Sequence, residues 1–197
     1  MPEFEQVHPE ARAEWRAWLA ANHASSRGVW LVQWRTPTGR RRFEYDEAVE
    51  EALCFGWIDS LAKGIDDERS MITMTPRKPT SGWSRSNKER LVRLTAAGLM
   101  APAGLRAVEV AKANGAWGLL DDVEALVVPA DLTAALADDG AATVGFAAMA
   151  PSAKKAILLA LKTAKKPETR ARRIAVAVAD AAELGRRRRP DAASSGT

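Results

Sequence analysis

The sequence predicts an α+β fold, with a small antiparallel sheet flanked by helices in the N-terminal part and a helical part after it. Three observations carry that class. Runs rich in β-branched and aromatic residues are confined to residues 29–75. From Pro102 onward every periodic apolar pattern has helical spacing. A chain of 197 residues buries a substantial apolar interior, as one domain with an appendage or two small domains sharing a core. The expected division is residues 1–125 as an α+β domain with a ligand cleft, 126–185 as a helical region and 186–197 as a disordered basic tail.

Residues 9–21 read as a helix, because Pro9 suits a first-turn position and Ala11, Trp15, Trp18 and Leu19 share one stripe. Residues 29–34 are β-rich, and Pro37-Thr38-Gly39 leads into residues 41–45, which predicts a hairpin. Asp46 is placed to cap a helix whose Val49, Ala52 and Leu53 share a face. Gly56 ends that helix in the left-handed conformation and leaves Trp57 at its exit. Residues 58–65 and 70–75 read as two strands joined by the charged turn Asp66-Asp67-Glu68-Arg69. A loop of that length sets position 65 opposite 70, 61 opposite 74 and 59 opposite 76, which brings Asp59 beside Arg77. Ser86-Asn87-Lys88-Glu89 is a capping-box pattern, followed by the stripe Leu91 and Leu94 and the stop Gly98.

The later helices follow the same logic. Leu105, Val108 and Ala111 form one stripe, and Pro129 opens a short helix with Leu132, Ala135 and Leu136. Ile157, Leu158, Leu161 and Ala164 lie on one helix and Ile174, Ala177, Val178 and Ala181 on another, with Lys166-Pro167 as the break of an antiparallel pair. Arg186-Arg187-Arg188-Arg189 and the tail beyond have no apolar face.

Composition excludes several function classes. The single cysteine, Cys54, builds neither a disulfide framework nor a thiolate zinc cluster; it suits a buried apolar thiol and a reducing compartment. The acidic start Met1-Pro2-Glu3-Phe4-Glu5 lacks a signal-peptide pattern, and no run approaches the roughly 18 apolar residues of a membrane span, so a cytoplasmic location is expected. His8 and His23 flank the first helix with no second ligand at metal-binding spacing, and no phosphate loop, dinucleotide fingerprint or nucleophile elbow is present, so neither metal nor cofactor is expected. The net charge of +4 is uneven: residues 151–197 carry 12 Lys and Arg against 4 Asp and Glu, and residues 1–150 carry 17 against 21. Such an end suits nucleic acid, an acidic partner or only a solvated helical face.

Chemistry concentrates in two short stretches, Cys54-Phe55-Gly56-Trp57-Ile58-Asp59-Ser60 and Arg77-Lys78-Pro79-Thr80-Ser81-Gly82-Trp83-Ser84-Arg85-Ser86-Asn87. The second ends on a helix N-terminus, where free amides, hydroxyls and the cations Arg77 and Lys78 suit a phosphate or carboxylate. The candidate ligand-binding residues are Trp57, Asp59, Arg77, Lys78, Ser81, Trp83, Ser84 and Asn87. Trp57 and Trp83 have two readings, as a slot that stacks on an aromatic ligand or as core. Ser84 or Ser86 has two as well, as ligand contacts or as the helix cap. Asp59 beside Arg77 would be held ionised, which suits orienting a ligand better than donating a proton. Whether the chain is an enzyme stays open, with Asp59 and Lys78 as the groups a reaction would use. The basic helices, with Lys154, Lys155, Lys162, Lys165, Lys166, Arg170, Arg172 and Arg173, leave nucleic acid as a further alternative partner.

The two stretches, together with Val128-Pro129-Ala130-Asp131-Leu132 and Ala164-Lys165-Lys166-Pro167-Glu168-Thr169-Arg170, resemble the YdeI/OmpD-associated family, also called bacteriocin-protection or OmdA proteins. The resemblance runs over nearly the whole chain except its last dozen or so residues. It implies a part in stress tolerance against bacteriocins or antimicrobial peptides and supplies no catalytic residues; the polybasic end is not part of the family pattern. The leading expectation is a protein that binds a small anionic or aromatic ligand, with an enzyme in the same cleft as the alternative.

Overall fold

The computed structural model describes residues 4–40 and 42–188. It has an α+β architecture in two compact units, Met1–Leu119 and Leu120–Thr197. In the first, the elements are β1 (Glu5–Val7), α1 (Arg12–Asn22), β2 (Val29–Trp34), α2 (Tyr45–Cys54), β3 (Trp57–Gly64), β4 (Arg69–Pro76), α3 (Arg85–Ala96) and α4 (Pro102–Ala113). The sheet has four strands in the order β1-β2-β4-β3. It is mixed rather than antiparallel, because β1 runs parallel to β2 while the other pairs are antiparallel.

β2 lies between two neighbours and is buried on both faces, which its unbroken apolar run Val29-Trp30-Leu31-Val32 allows. Val29 and Leu31 face the main core with Trp15 and Leu19 of α1, Val49 and Leu53 of α2, and Leu91 and Leu94 of α3. Trp30 and Val32 form a smaller cluster with Met71 on the opposite face, where the Lys63 ammonium sits over the Trp30 ring.

The expected hairpin between residues 29–34 and 41–45 does not form. After β2 the chain makes a single 3-10 turn at Thr36–Thr38, and the two edges of β2 are taken by β1 and β4. The following segment is held instead by burial of Phe43, whose carbonyl accepts from Gln33 Nε2. The cap of α2 is Glu44, in a reciprocal capping box with Glu47, in place of Asp46.

The β3–β4 register also departs from expectation. Asp59 is opposite Met74 and Gly64 opposite Ser70, with an irregularity between Asp59 and Ala62. The cause is Thr73, a buried hydroxyl that accepts from the Leu61 amide and contacts Ser60 Oγ at 2.6 Å. A side chain thus takes the place of a backbone rung, and the extra residue is absorbed as a bulge.

The second unit contains α5 (Asp121–Glu124), α6 (Ala130–Ala137), α7 (Gly140–Ala148), α8 (Pro151–Lys162) and α9 (Pro167–Arg188). Leu132, Leu136, Phe146, Leu158, Leu161 and Ala181 are central to its core. The break at Lys166-Pro167 holds, but the main partner of α9 is α7 rather than α8. A Cβ on Gly145 would lie 1.7 Å from the carbonyl oxygen of Ala181, and one on Gly185 1.9 Å from that of Ala141, so the two backbones touch where no side chain fits. Because Gly185 is part of this contact, α9 continues through Arg188 into the region expected to be disordered; Arg189 and the rest of that tail lie outside the described residues. Among the described residues no single helix is long and apolar enough to cross a membrane.

Gly145→Ala is expected to destabilise the protein by about 2–4 kcal/mol, because backbone rather than a movable side chain blocks the new methyl. Gly140→Ala, whose Cβ meets nothing within 4 Å, serves as the near-neutral control in urea unfolding of the same helices.

Candidate functional site

The site is built where the sheet hands the chain to α3. At the end of β4 the Arg77 amide donates to the Gly56 carbonyl at 2.9 Å, so the 77–84 loop starts from a fixed point. Within the loop the Ser81 amide donates to the Lys78 carbonyl and Arg77 Nη2 donates to the Gly82 carbonyl at 2.7 Å. The far side is tied to the end of α4 by Asn114 Nδ2, which donates to the Pro79 carbonyl at 3.0 Å. The loop ends at Ser84, the N-cap of α3, whose Oγ accepts from the Asn87 amide.

Between this loop and α4 lies a hollow of about 320 Å³. Arg77 and Lys78 contribute to it from the loop and Arg106 from α4, and Ala103, Ala107 and Val110 form the helical wall. Trp83 lines it too, but is 1% exposed. The reason is Arg77: its guanidinium lies 3.7 Å from the Trp83 ring centroid and covers that face.

Arg77 is only partly compensated. Its Nε is buried without a hydrogen-bond partner, and among the described residues no carboxylate lies within ion-pair distance. Burial pulls its pKa down to about 10, and the field of Asp59 only partly offsets this. At neutral pH the fold therefore carries part of the desolvation cost of this charge. Glu51 shows the opposite treatment. It is 3% exposed and accepts from Arg12 Nε and Arg16 Nη1, each at 2.6 Å, which locks α1 to α2.

The predicted residues therefore separate. Arg77, Lys78 and Trp83 meet in the hollow. Trp57 does not: it is 1% exposed in the core, meets Trp18 edge-on at 5.8 Å and donates from Nε1 to the His23 carbonyl. The slot of two stacking indoles is thus overturned, since strand alternation turns Trp57 into the core and Arg77 covers Trp83. Asp59 does not pair with Arg77, because the shifted register brings it to Tyr45, whose hydroxyl donates to its Oδ2 at 2.6 Å. Ser84 caps α3, Asn87 is turned to Arg90, and Ser81 sits half-buried in the loop without lining the hollow. The cap falls two residues before the predicted Ser86.

Sequence reasoning missed Arg106 and its wall. Ala103, Ala107 and Val110 follow helical spacing; of the expected stripe Leu105, Val108 and Ala111, Ala111 is buried and Val108 packs on the core, while Leu105 is 42% exposed. Gly104 also faces inward and lets α4 lie against the end of α2, because a Cβ there would meet the Cys54 carbonyl. Among the basic residues of the second unit, Lys155, Lys162 and Arg170 are engaged by Glu124, Asp122 and Asp131, which leaves less free charge for a phosphate backbone.

Tyr45 offers a direct check of the Asp59 placement, because it is the only tyrosine in the chain. Burial, and then the hydrogen bond to Asp59, push its pKa up to about 12. A phenol raised above its ordinary value of 10.0 lends stability that is complete below that pH and lost as pH rises toward about 12. Ultraviolet absorbance titration is expected to give a midpoint near 12 in the wild type and a lower one in Asp59→Asn.

Two family models match the chain: residues 7–107 match "Domain of unknown function (DUF8412)", and residues 125–183 match "Bacteriocin-protection, YdeI or OmpD-Associated". No curated protein and no solved structure matches it.

Proposed function

Because this chain belongs to the DUF8412 family and is, over residues 125–183, a YdeI/OmpD-associated protein, we propose that it is a tolerance protein that binds a small anion in the hollow under Arg77. The observation that supports this reading is the half-buried Arg77 guanidinium, stacked on Trp83 with a buried, unpartnered Nε and no carboxylate in ion-pair range among the described residues. Burying a cation is costly unless something compensates it. An anion entering the hollow supplies the missing counter-charge, and Lys78 and Arg106 draw it in. Stacking of a ligand between the two indoles has no support left, since Trp57 and Trp83 are both buried. The family description supports placing this binding in tolerance of bacteriocins or antimicrobial peptides, and the free, buried Cys54 suits a cytoplasmic site of action.

The test is calorimetric titration of the folded protein with sodium phosphate, acetate and benzoate. At least one is expected to bind, with affinity falling about 10- to 100-fold in Arg77→Gln and less in Arg106→Gln. Circular dichroism separates loss of binding from loss of fold, and Arg106→Gln, on an exposed helix position, keeps the question answerable if Arg77→Gln does not fold. Wild-type protein that binds none of the three, or affinity indifferent to both variants, rejects the site.

A further inference from the structure

Resting on that anion-binding reading, we infer that the ligand is a compact organic carboxylate with an apolar alkyl or aryl body, rather than inorganic phosphate or a hydroxyl-rich metabolite. The inference comes from what lines the hollow. Its charged residues are Arg77, Lys78 and Arg106, all cationic, and every other lining residue is apolar. Among the described residues no Ser, Thr, Asn, Gln, Asp or Glu side chain contributes to it. The polar residues that sequence reasoning assigned to the ligand are used elsewhere: Ser84 Oγ on the Asn87 amide, Asn87 Oδ1 on Arg90, and Asp59 on Tyr45.

Such a lining discriminates by chemistry. A sugar phosphate or nucleotide would place hydroxyl and ring donors against Ala103, Ala107 and Val110, whose side chains offer no acceptor, and polar groups that lose water without a new partner oppose binding. An alkyl or aryl group loses nothing there and gains from leaving water. The wall suits that use, because short side chains at i, i+4 and i+7 make a shallow, smooth helical surface. Val110 is 45% exposed at its edge, an apolar side chain that a bound body would cover. The size is also restrictive, since 320 Å³ is at the small end of the roughly 300–1,000 Å³ typical of ligand sites.

The experiment is calorimetry on the full chain with acetate, butyrate, hexanoate, benzoate, gluconate and inorganic phosphate, repeated with Arg77→Gln and Val110→Asn. Affinity is expected to rise by up to about fourfold per added methylene from acetate to hexanoate. Gluconate should bind at least about tenfold more weakly than hexanoate. Val110→Asn should weaken hexanoate and benzoate several-fold while leaving acetate unchanged, which a purely electrostatic site would not do. Acetate, phosphate or gluconate binding as tightly as hexanoate, with all of them lost in Arg77→Gln, overturns the apolar-body inference and leaves the anion reading standing. Binding of no anion, or binding independent of Arg77, removes both.

Discussion

The first unit turns on Gly56. It sits at φ +75° between α2 and β3, a conformation that L side chains rarely adopt. Three separate parts of the fold meet at this residue. Its reversal of the chain starts β3 and sends Trp57 into the core. Its carbonyl accepts the Arg77 amide, so the loop over the hollow begins at a defined height. Its missing Cβ lets α4 approach, since an added methyl would lie 3.1 Å from the Ala103 carbonyl and 3.2 Å from the Ala107 Cβ. Both the loop and the helical wall of the hollow are thereby referred to one point, although they are far apart in sequence.

Two charges in this unit, Glu51 buried and Arg77 half-buried, are treated in opposite ways, and the contrast gives the hollow its meaning. Glu51 is answered on both oxygens by guanidinium groups, and Arg16 extends the network by donating from Nη2 to the Leu99 carbonyl. That is a structural joint, with its charge neutralised inside the protein. Arg77 has an aromatic face beneath it, one carbonyl and no carboxylate within ion-pair distance among the described residues. Natural folds seldom leave such a group uncompensated unless its partner arrives from outside. Asp59, which accepts from a phenol at 2.6 Å, is likewise engaged away from the guanidinium it was expected to meet.

Much of the fold was legible in the sequence because proline and glycine marked it plainly. Pro102, Pro129 and Pro167 stand at or just before helix starts, and Gly56 closes α2 as its position implies. What stayed illegible depended on contacts between distant residues. β1 is three residues with only Val7 half-buried, too short for periodicity, and it exists because β2 has an edge to fill. The bulge depends on a hydroxyl at Thr73 that sequence pattern alone reads as an ordinary strand residue. For the site, the chemistry of Arg77 and Lys78 could be read from their loop, but the partners could not. Trp57 and Trp83 look alike in sequence, yet a strand face sends one into the core and a stacked guanidinium covers the other. Arg106 lies 29 positions beyond Arg77, on a helix that is brought against α2 at Gly104, a contact that an apolar stripe does not reveal.

The irregularity at Ser60 and Leu61 also affects how the molecule behaves in a crowd. β3 is the outer strand of the sheet, and residues 60–64 are open to solvent. An unbroken margin of that kind invites another chain to zip onto it. Here the rhythm of donors and acceptors is interrupted midway and Lys63 stands close by, so an incoming strand matches only a few rungs before it falls out of step. A hydroxyl recruited to settle one local hydrogen-bonding need thus doubles as protection against runaway self-association.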